Sequence, residues 1–221
     1  MTSPALVTKE DVEAFCDACV SLRSVWEHYR ILYEGSDLKR ELLQTVAPTF
    51  FGDIRAMMVE HLVLKICAIT DPLETMKRKN LTMQFLLANC DFSAMPGVLA
   101  KLEPISERIH KFRDIILPPR NRFISHLDLE AIRVGDPLGG AEEKQWLEFW
   151  VDLQDFLNIM HRSFINPTGQ FYLNAMGNMS DADSLVQALR ESRYFRDAMD
   201  DKEVGKRATD LAFKSKFYGA Q

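Results

Sequence analysis

Cysteine is scarce: the 221 residues hold four, Cys16, Cys19, Cys67 and Cys90, each set among apolar neighbours. That number is too small for a disulfide scaffold and suits reduced, buried thiols in a cytosolic protein. Long apolar runs are missing too. The longest are broken by charges well short of the roughly 18 residues a membrane span needs, and the opening MTSPALVTKEDVE lacks the basic start and continuous apolar stretch of a secretory signal. We therefore expect a cytoplasmic protein with no membrane partner. Positive charge is in deficit: 27 Lys and Arg face 32 Asp and Glu, a formal charge of −5. This excludes a basic nucleic-acid coat, so any nucleic-acid contact must come from a local basic patch on an acidic surface. No Gly-rich phosphate loop of Walker or Rossmann type occurs, and no Gly-x-Ser-x-Gly elbow.

What is present is an ordinary packed composition, 47% hydrophobic and 27% charged, at a length that fits one large or two small domains. Apolar residues recur at three- and four-residue steps, while sustained period-two alternation is hard to find, so the fold is expected to be all-α. A first helix should open at Thr8, which has capping-box spacing to Asp11. It carries Val12, Phe15, Cys16, Cys19, Leu22, Trp26, Tyr29 and Tyr33 on one face as far as Gly35. Asp37 can cap a short second helix stopped by Pro48, and a third should run from about Phe50 to Thr70 with Ile54, Met57, Met58, Leu62, Ile66 and Ile69 inward. After a charged connector containing Lys77, Arg78 and Lys79, helices are expected around 81–90 and from near Pro96 to Leu117, the latter kinked or shortened by Pro104. Pro118-Pro119 should end that helix and start a short charged one, Arg120 to about Asp128. Residues 129–141, with Gly135, Gly139 and Gly140, are expected to form a loop. The clearest helix then presents Trp146, Phe149, Trp150, Leu153, Phe156, Leu157, Met160 and Phe164. A further helix from Ser180 through Leu185 and Leu189, then an appended helix or tail, complete the pattern. We expect an up-and-down helical bundle over residues 8–169 with a C-terminal helical extension over 170–221.

Most chemistry-bearing residues have a structural reading that outweighs the functional one. Cys16-x-x-Cys19 lacks the further ligands a zinc site needs and the strand a redox site needs, and both sulfurs fall on an apolar helix stripe. Glu107-x-x-His110 has the spacing of di-iron ligands on one helix turn, but there is no second copy, so no metal or other cofactor is expected. Ser125, His126 and Asp128 lie too close in sequence to converge as a hydrolytic triad. His28, His61 and His161 stand alone beside ordinary stripes. Lys77-Arg78-Lys79 is a short run, ordinarily solvated, that could lie along a phosphate chain.

The segment Pro118-Pro119-Arg120-Asn121-Arg122-Phe123-Ile124-Ser125-His126 is different, because it gathers two arginines, an amide and an imidazole at the start of one helix. Unpaired N–H groups there attract anions, guanidinium grips phosphate through two bonds, and histidine exchanges protons near neutral pH. These are the parts of a phosphodiester-cleaving site. On an ideal helix Arg122 and His126 share a face while Arg120 points elsewhere, so spacing alone ranks Arg122 first.

Arg120 through His126 fits the motif of the HEPN superfamily of helical bundles: arginine, a polar residue, then histidine after four to six intervening positions. Within it the chain resembles the AbiU2-like branch associated with abortive infection against phage. Leu127-Asp128-Leu129-Glu130 and the upstream Ile69-Thr70-Asp71 and Asn80-Leu81-Thr82 share that likeness, which covers roughly residues 8–165. The resemblance implies a HEPN-like bundle and a metal-independent endoribonuclease, acting on RNA as a homodimer whose two motifs meet at one cleft. A toxin of this kind would have a neutralising antitoxin protein as partner. It further implies His126 as general acid or base, Arg120 on the scissile phosphate and Asn121 orienting either. Arg122 and Lys79 are expected to add substrate-binding charge. Asp128 stands where one HEPN subgroup carries a tyrosine modified by a partner nucleotidyltransferase, so that regulation is not expected. The rival reading is a non-catalytic helical module that binds RNA or a protein.

Overall fold

Thr8 and Asp11 open the first helix as their spacing predicts: the Thr8 amide donates to Asp11 Oδ2 at 2.9 Å and the Asp11 amide donates to Thr8 Oγ1 at 3.2 Å. A computed structural model describes residues 7–119, 140–173 and 179–200. Among them the order is α1 (Lys9–Tyr33), α2 (Asp37–Val46), α3 (Pro48–Thr70), β1 (Glu74–Thr75), β2 (Arg78–Lys79), α4 (Met83–Asn89), α5 (Pro96–Pro119), α6 (Glu143–Phe164) and α7 (Met179–Asp200). The fold is an all-α bundle, with one minimal hairpin among the described residues. No helix among the described residues is long and apolar enough to cross a membrane. The expected short helix from Arg120, the loop after it and the C-terminal tail lie largely or wholly outside the described residues.

The chain divides into two compact units, Met1–Trp26 with Ala56–Met176, and Glu27–Arg55 with Gly177–Gln221. In the first, the stripe predicted for α1 is buried from Val12 to Trp26, and α6 buries Phe149, Trp150, Leu153, Phe156, Leu157 and Met160. Phe15 meets Phe156 edge-on at 6.3 Å, Trp26 stacks on Trp146 at 4.7 Å, and Phe112 of α5 stacks on Phe149 at 4.6 Å. Aromatic burial of this kind dominates the stability of a small core. α5 and α6 pack together, and Arg108 clasps both carboxylate oxygens of Asp152 from Nε, at 2.9 and 3.1 Å.

In the second unit, Gly35 takes a φ of +100°, the left-handed turn that ends α1 and that a side chain would resist. Tyr33 donates to the carbonyl of Phe51 at 2.9 Å, Lys39 donates to the carbonyl of Ile31 at 2.9 Å, and Arg193 of α7 pairs with Glu41 of α2 at 3.1 Å.

Several local expectations change. Ser36, not Asp37, occupies the N-cap of α2, with no side-chain cap bond, and Asp37 sits in the first turn, where its charge suits the helix dipole. Pro48 begins α3 because its missing N–H costs nothing at a first helical position. Met57 is 54% exposed and not inward: apolar residues are spread around α3, which also carries Asp53, Arg55, Glu60 and Lys65, so its pattern marks no single face, and the buried side is Leu62, Val63, Ile66, Cys67 and Ile69. α5 runs unbroken past Pro104, whose missing amide orphans the carbonyl of Ala100, an exposed residue that water can serve. Leu185 of α7 is exposed, and Ala182 and Val186 carry the burial there.

The charged connector is an antiparallel hairpin pairing Glu74 with Lys79 and Thr75 with Arg78. Its turn residues Met76 and Lys77 both hold positive φ, 49° and 65°. Such a turn usually takes Asn-Gly, and placing longer side chains there costs roughly 1–2 kcal/mol each.

Candidate functional site

Arg120, Asn121, Arg122 and His126 lie outside the described residues. The frame on which that segment begins is described, because α5 reaches Pro119, the residue directly before Arg120.

That frame is tied to the end of α3. Arg113, six residues before the end of α5 at Pro119, donates from Nη2 to Asp71 Oδ1 at 2.8 Å, and only 17% of its side chain is exposed. Its Nε is buried with no hydrogen-bond partner among the described residues. Just before Asp71, the buried Thr70 hydroxyl satisfies the carbonyl of Ile66 at 2.6 Å, closing the last turn of α3. After Asp71 the chain enters the hairpin, which Asn80 clamps at its base. The Asn80 side-chain amide donates to the carbonyl of Pro72 at 3.1 Å and to Thr75 Oγ1 at 2.9 Å, and its backbone amide donates to the carbonyl of Leu73 at 2.9 Å. Thr82 then caps α4, accepting from the Phe85 amide at 3.1 Å. Each polar residue of Thr70-Asp71 and Asn80-Leu81-Thr82 therefore holds a specific bond at one corner of the first unit.

Lys77, Arg78 and Lys79 are exposed on the hairpin and form no ion pair among the described residues; Lys79 stands opposite Glu74 in register. Met76 at the tip is 93% exposed.

The other residue types that suggested chemistry are placed differently. Cys16 and Cys19 are buried in the core, where loss of hydration pushes the Cys16 thiol up to about 12 and the Cys19 thiol well above its ordinary value. They are packing residues in the neutral form. His110 donates from Nδ1 to the carbonyl of Ser106 at 2.7 Å, which leaves Nε2 to accept from the Gln84 amide at 3.2 Å. Glu107 is exposed, and no group of three or more His, Cys, Asp or Glu forms a ligand set among the described residues. His161 packs its ring against Phe171 at 5.4 Å with Nδ1 buried and unpartnered among the described residues, and His61 is exposed.

Sequence reasoning missed Arg113 and its pairing with Asp71. A signal was present: Arg113 adjoins the buried stripe of Ile109, Phe112 and Ile116, a place where a cation needs a partner.

A model of the HEPN-class family described as AbiU2 matches residues 8–183. The chain belongs to the AbiU2 family. No curated protein and no solved structure matches it. The AbiU2 match takes in the whole of α1 to α6, the Asp71–Arg113 corner, the hairpin and the stretch from Arg120 to His126. AbiU2 membership supports a HEPN-type role for the bundle.

Proposed function

We propose that this AbiU2-family chain is a metal-independent endoribonuclease, active as a homodimer in defence against phage and held in check by a neutralising protein. The observation that carries the reading is the family match over residues 8–183, which contains Arg120-Asn121 and His126 at the motif's spacing. In this mechanism His126 takes the proton of a ribose 2′-hydroxyl as that oxygen attacks the adjacent phosphorus. The bond to the next nucleotide's 5′-oxygen breaks, and that oxygen leaves with a proton delivered from the second copy of the motif. The products are a 2′,3′-cyclic phosphate and a 5′-hydroxyl. Arg120 holds the phosphate and stabilises its developing charge, Asn121 orients either group, and Arg122 and Lys79 add positive charge along the strand.

Supporting this assignment, α5 leads in sequence to Arg120 and is anchored by the Arg113–Asp71 pair six residues before its end at Pro119. The decisive comparison is wild type against His126→Ala on a mixed RNA pool in EDTA. Cleavage by wild type alone, ending in cyclic phosphate, is the expected result. Equal behaviour of the two proteins would leave the rival reading, a non-catalytic RNA- or protein-binding module, which the net charge of −5 favours.

A further inference from the structure

The hairpin between α3 and α4 has features that the core does not require. Glu74 through Lys79 are exposed, so the hairpin adds little to packing. Its turn nevertheless keeps two non-glycine residues, Met76 and Lys77, in left-handed backbone. Asn80 fastens the base with three hydrogen bonds, so the projection is held in one shape. On it stand three consecutive cations, Lys77, Arg78 and Lys79, without an ion pair among the described residues, in a chain whose formal charge is −5. The one acidic neighbour in register, Glu74, stands across from Lys79 without pairing to it.

We propose that this hairpin is a grip for single-stranded RNA, its three cations lying along phosphates and Met76 packing against an unstacked base. Location connects it to the motif. The hairpin starts shortly after Asp71, which holds Arg113, and Arg113 is six residues from Pro119, about 9 Å along α5 at the helical rise. The base of the hairpin is thus tied, through Asp71 and Arg113, to the helix that leads in sequence to the motif. An apolar tip flanked by cations suits single strands over duplex, because only unpaired bases offer a face to a side chain while phosphates are common to both. The grip deepens the ribonuclease reading by naming how substrate is held, and it rests on that reading only for the cleavage step.

The test measures binding and cleavage separately. Binding uses fluorescence anisotropy of a fluorescein-labelled single-stranded RNA of mixed sequence, titrated with full-length His126→Ala at several salt concentrations. In that background, Lys77→Ala, Arg78→Ala and Lys79→Ala together should lower the salt slope by about 2, at roughly 0.7 per phosphate contact on single strands, and weaken binding at physiological salt by roughly 50-fold. Lys9→Ala, Lys65→Ala and Lys101→Ala remove the same charge elsewhere on the first unit and should leave affinity within a few-fold. Met76→Asn, which suits the turn better, should narrow the preference for single-stranded over duplex RNA without changing the slope. An unchanged slope in the hairpin triple variant, or an equal loss in the control triple, overturns the grip. Wild-type cleavage of the same RNA is scored independently. A protein that cleaves but does not use the hairpin sinks the grip alone, and one that binds through the hairpin without cleaving sinks the ribonuclease alone.

Discussion

Arg113 reaches Asp71 across 42 residues of sequence with a 2.8 Å bond, while its own Nε stays buried and unpartnered among the described residues. One guanidinium therefore both joins α5 to the end of α3 and has a donor that no described residue satisfies. The bond and the orphaned donor have opposite energetic consequences.

Asp71→Asn removes the charged acceptor and leaves a largely buried cation behind, which should destabilise the fold by about 1–3 kcal/mol. Arg113→Met removes the orphaned Nε together with the charge and keeps an apolar side chain of similar reach, so it should cost less than Asp71→Asn. Urea denaturation of both single variants and the double variant checks this. The order reverses if the pair is only a surface contact.

Thiol chemistry should report the core. Burial pushes Cys16 and Cys90 up to about 12, and Cys19 rises for the same reason, so all three are neutral at pH 8 in the native state. A folded-state value raised above the unfolded one, near 9, makes the contribution to stability complete below pH 9, and it is lost as pH rises from 9 towards 12. Ellman's reagent at pH 8 should leave these thiols unmodified until denaturant is added. Rapid reaction of Cys16 or Cys19 in the native protein would mean that the α1 stripe opens, whereas reaction confined to the half-buried Cys90 would not.

All three tryptophans lie in one cluster: Trp26 stacks on Trp146 at 4.7 Å and lies 5.9 Å from Trp150, with Arg23 over the Trp150 ring at 4.9 Å. Trp150 Nε1 is buried without a hydrogen-bond partner among the described residues. Trp150→Phe loses part of the indole but also that unmet donor, so the change should stay within about 1–2 kcal/mol. Trp150→Ala should cost about 3–5 kcal/mol. Thermal melts followed by tryptophan emission read both, and similar losses for Phe and Ala would show that the donor is satisfied in solution.

What can be read from the sequence is what is local. The Thr8–Asp11 box and the aromatic stripe of α6 are encoded within a few residues of themselves, and both appear as the spacing predicts. The hairpin is hidden because Met76-Lys77 carries none of the Asn-Gly chemistry that marks such turns. Spacing misplaces Met57 because a helix whose apolar residues are spread around its circumference has no informative period. The Arg113–Asp71 pair depends on a contact that no short window contains. The motif from Arg120 to His126 is legible as a local string, and the family match includes it, but the partners that string meets in space are not a property of the string.

The two motif arginines separate what spacing dictates from what the family dictates. Ideal helical geometry puts Arg122 on the face of His126, four residues away, and turns Arg120 aside, so if geometry governs, Arg122→Ala should be the more damaging change. The proposed function instead makes Arg120 the phosphate ligand and Arg122 an additional cation. Although α5 stays helical through Pro119, Pro118 and Pro119 donate no amide, so its last turn closes with fewer backbone hydrogen bonds just before Arg120, which is where departure from ideal geometry costs least. We therefore expect Arg120→Ala to lower kcat by roughly 10²–10³-fold, the range typical of losing one stabilising donor to a developing anion. Arg122→Ala should act mainly on KM, with kcat within about tenfold of wild type, because loss of a peripheral cation removes binding common to ground and transition states. His126→Ala should remove general acid–base catalysis, about 10²–10⁴-fold. All three should sediment as wild type does, because the substitutions leave the core stripes intact. If Arg122→Ala loses turnover while Arg120→Ala keeps it, the segment from Arg120 is a regular helix and the phosphate ligand is Arg122.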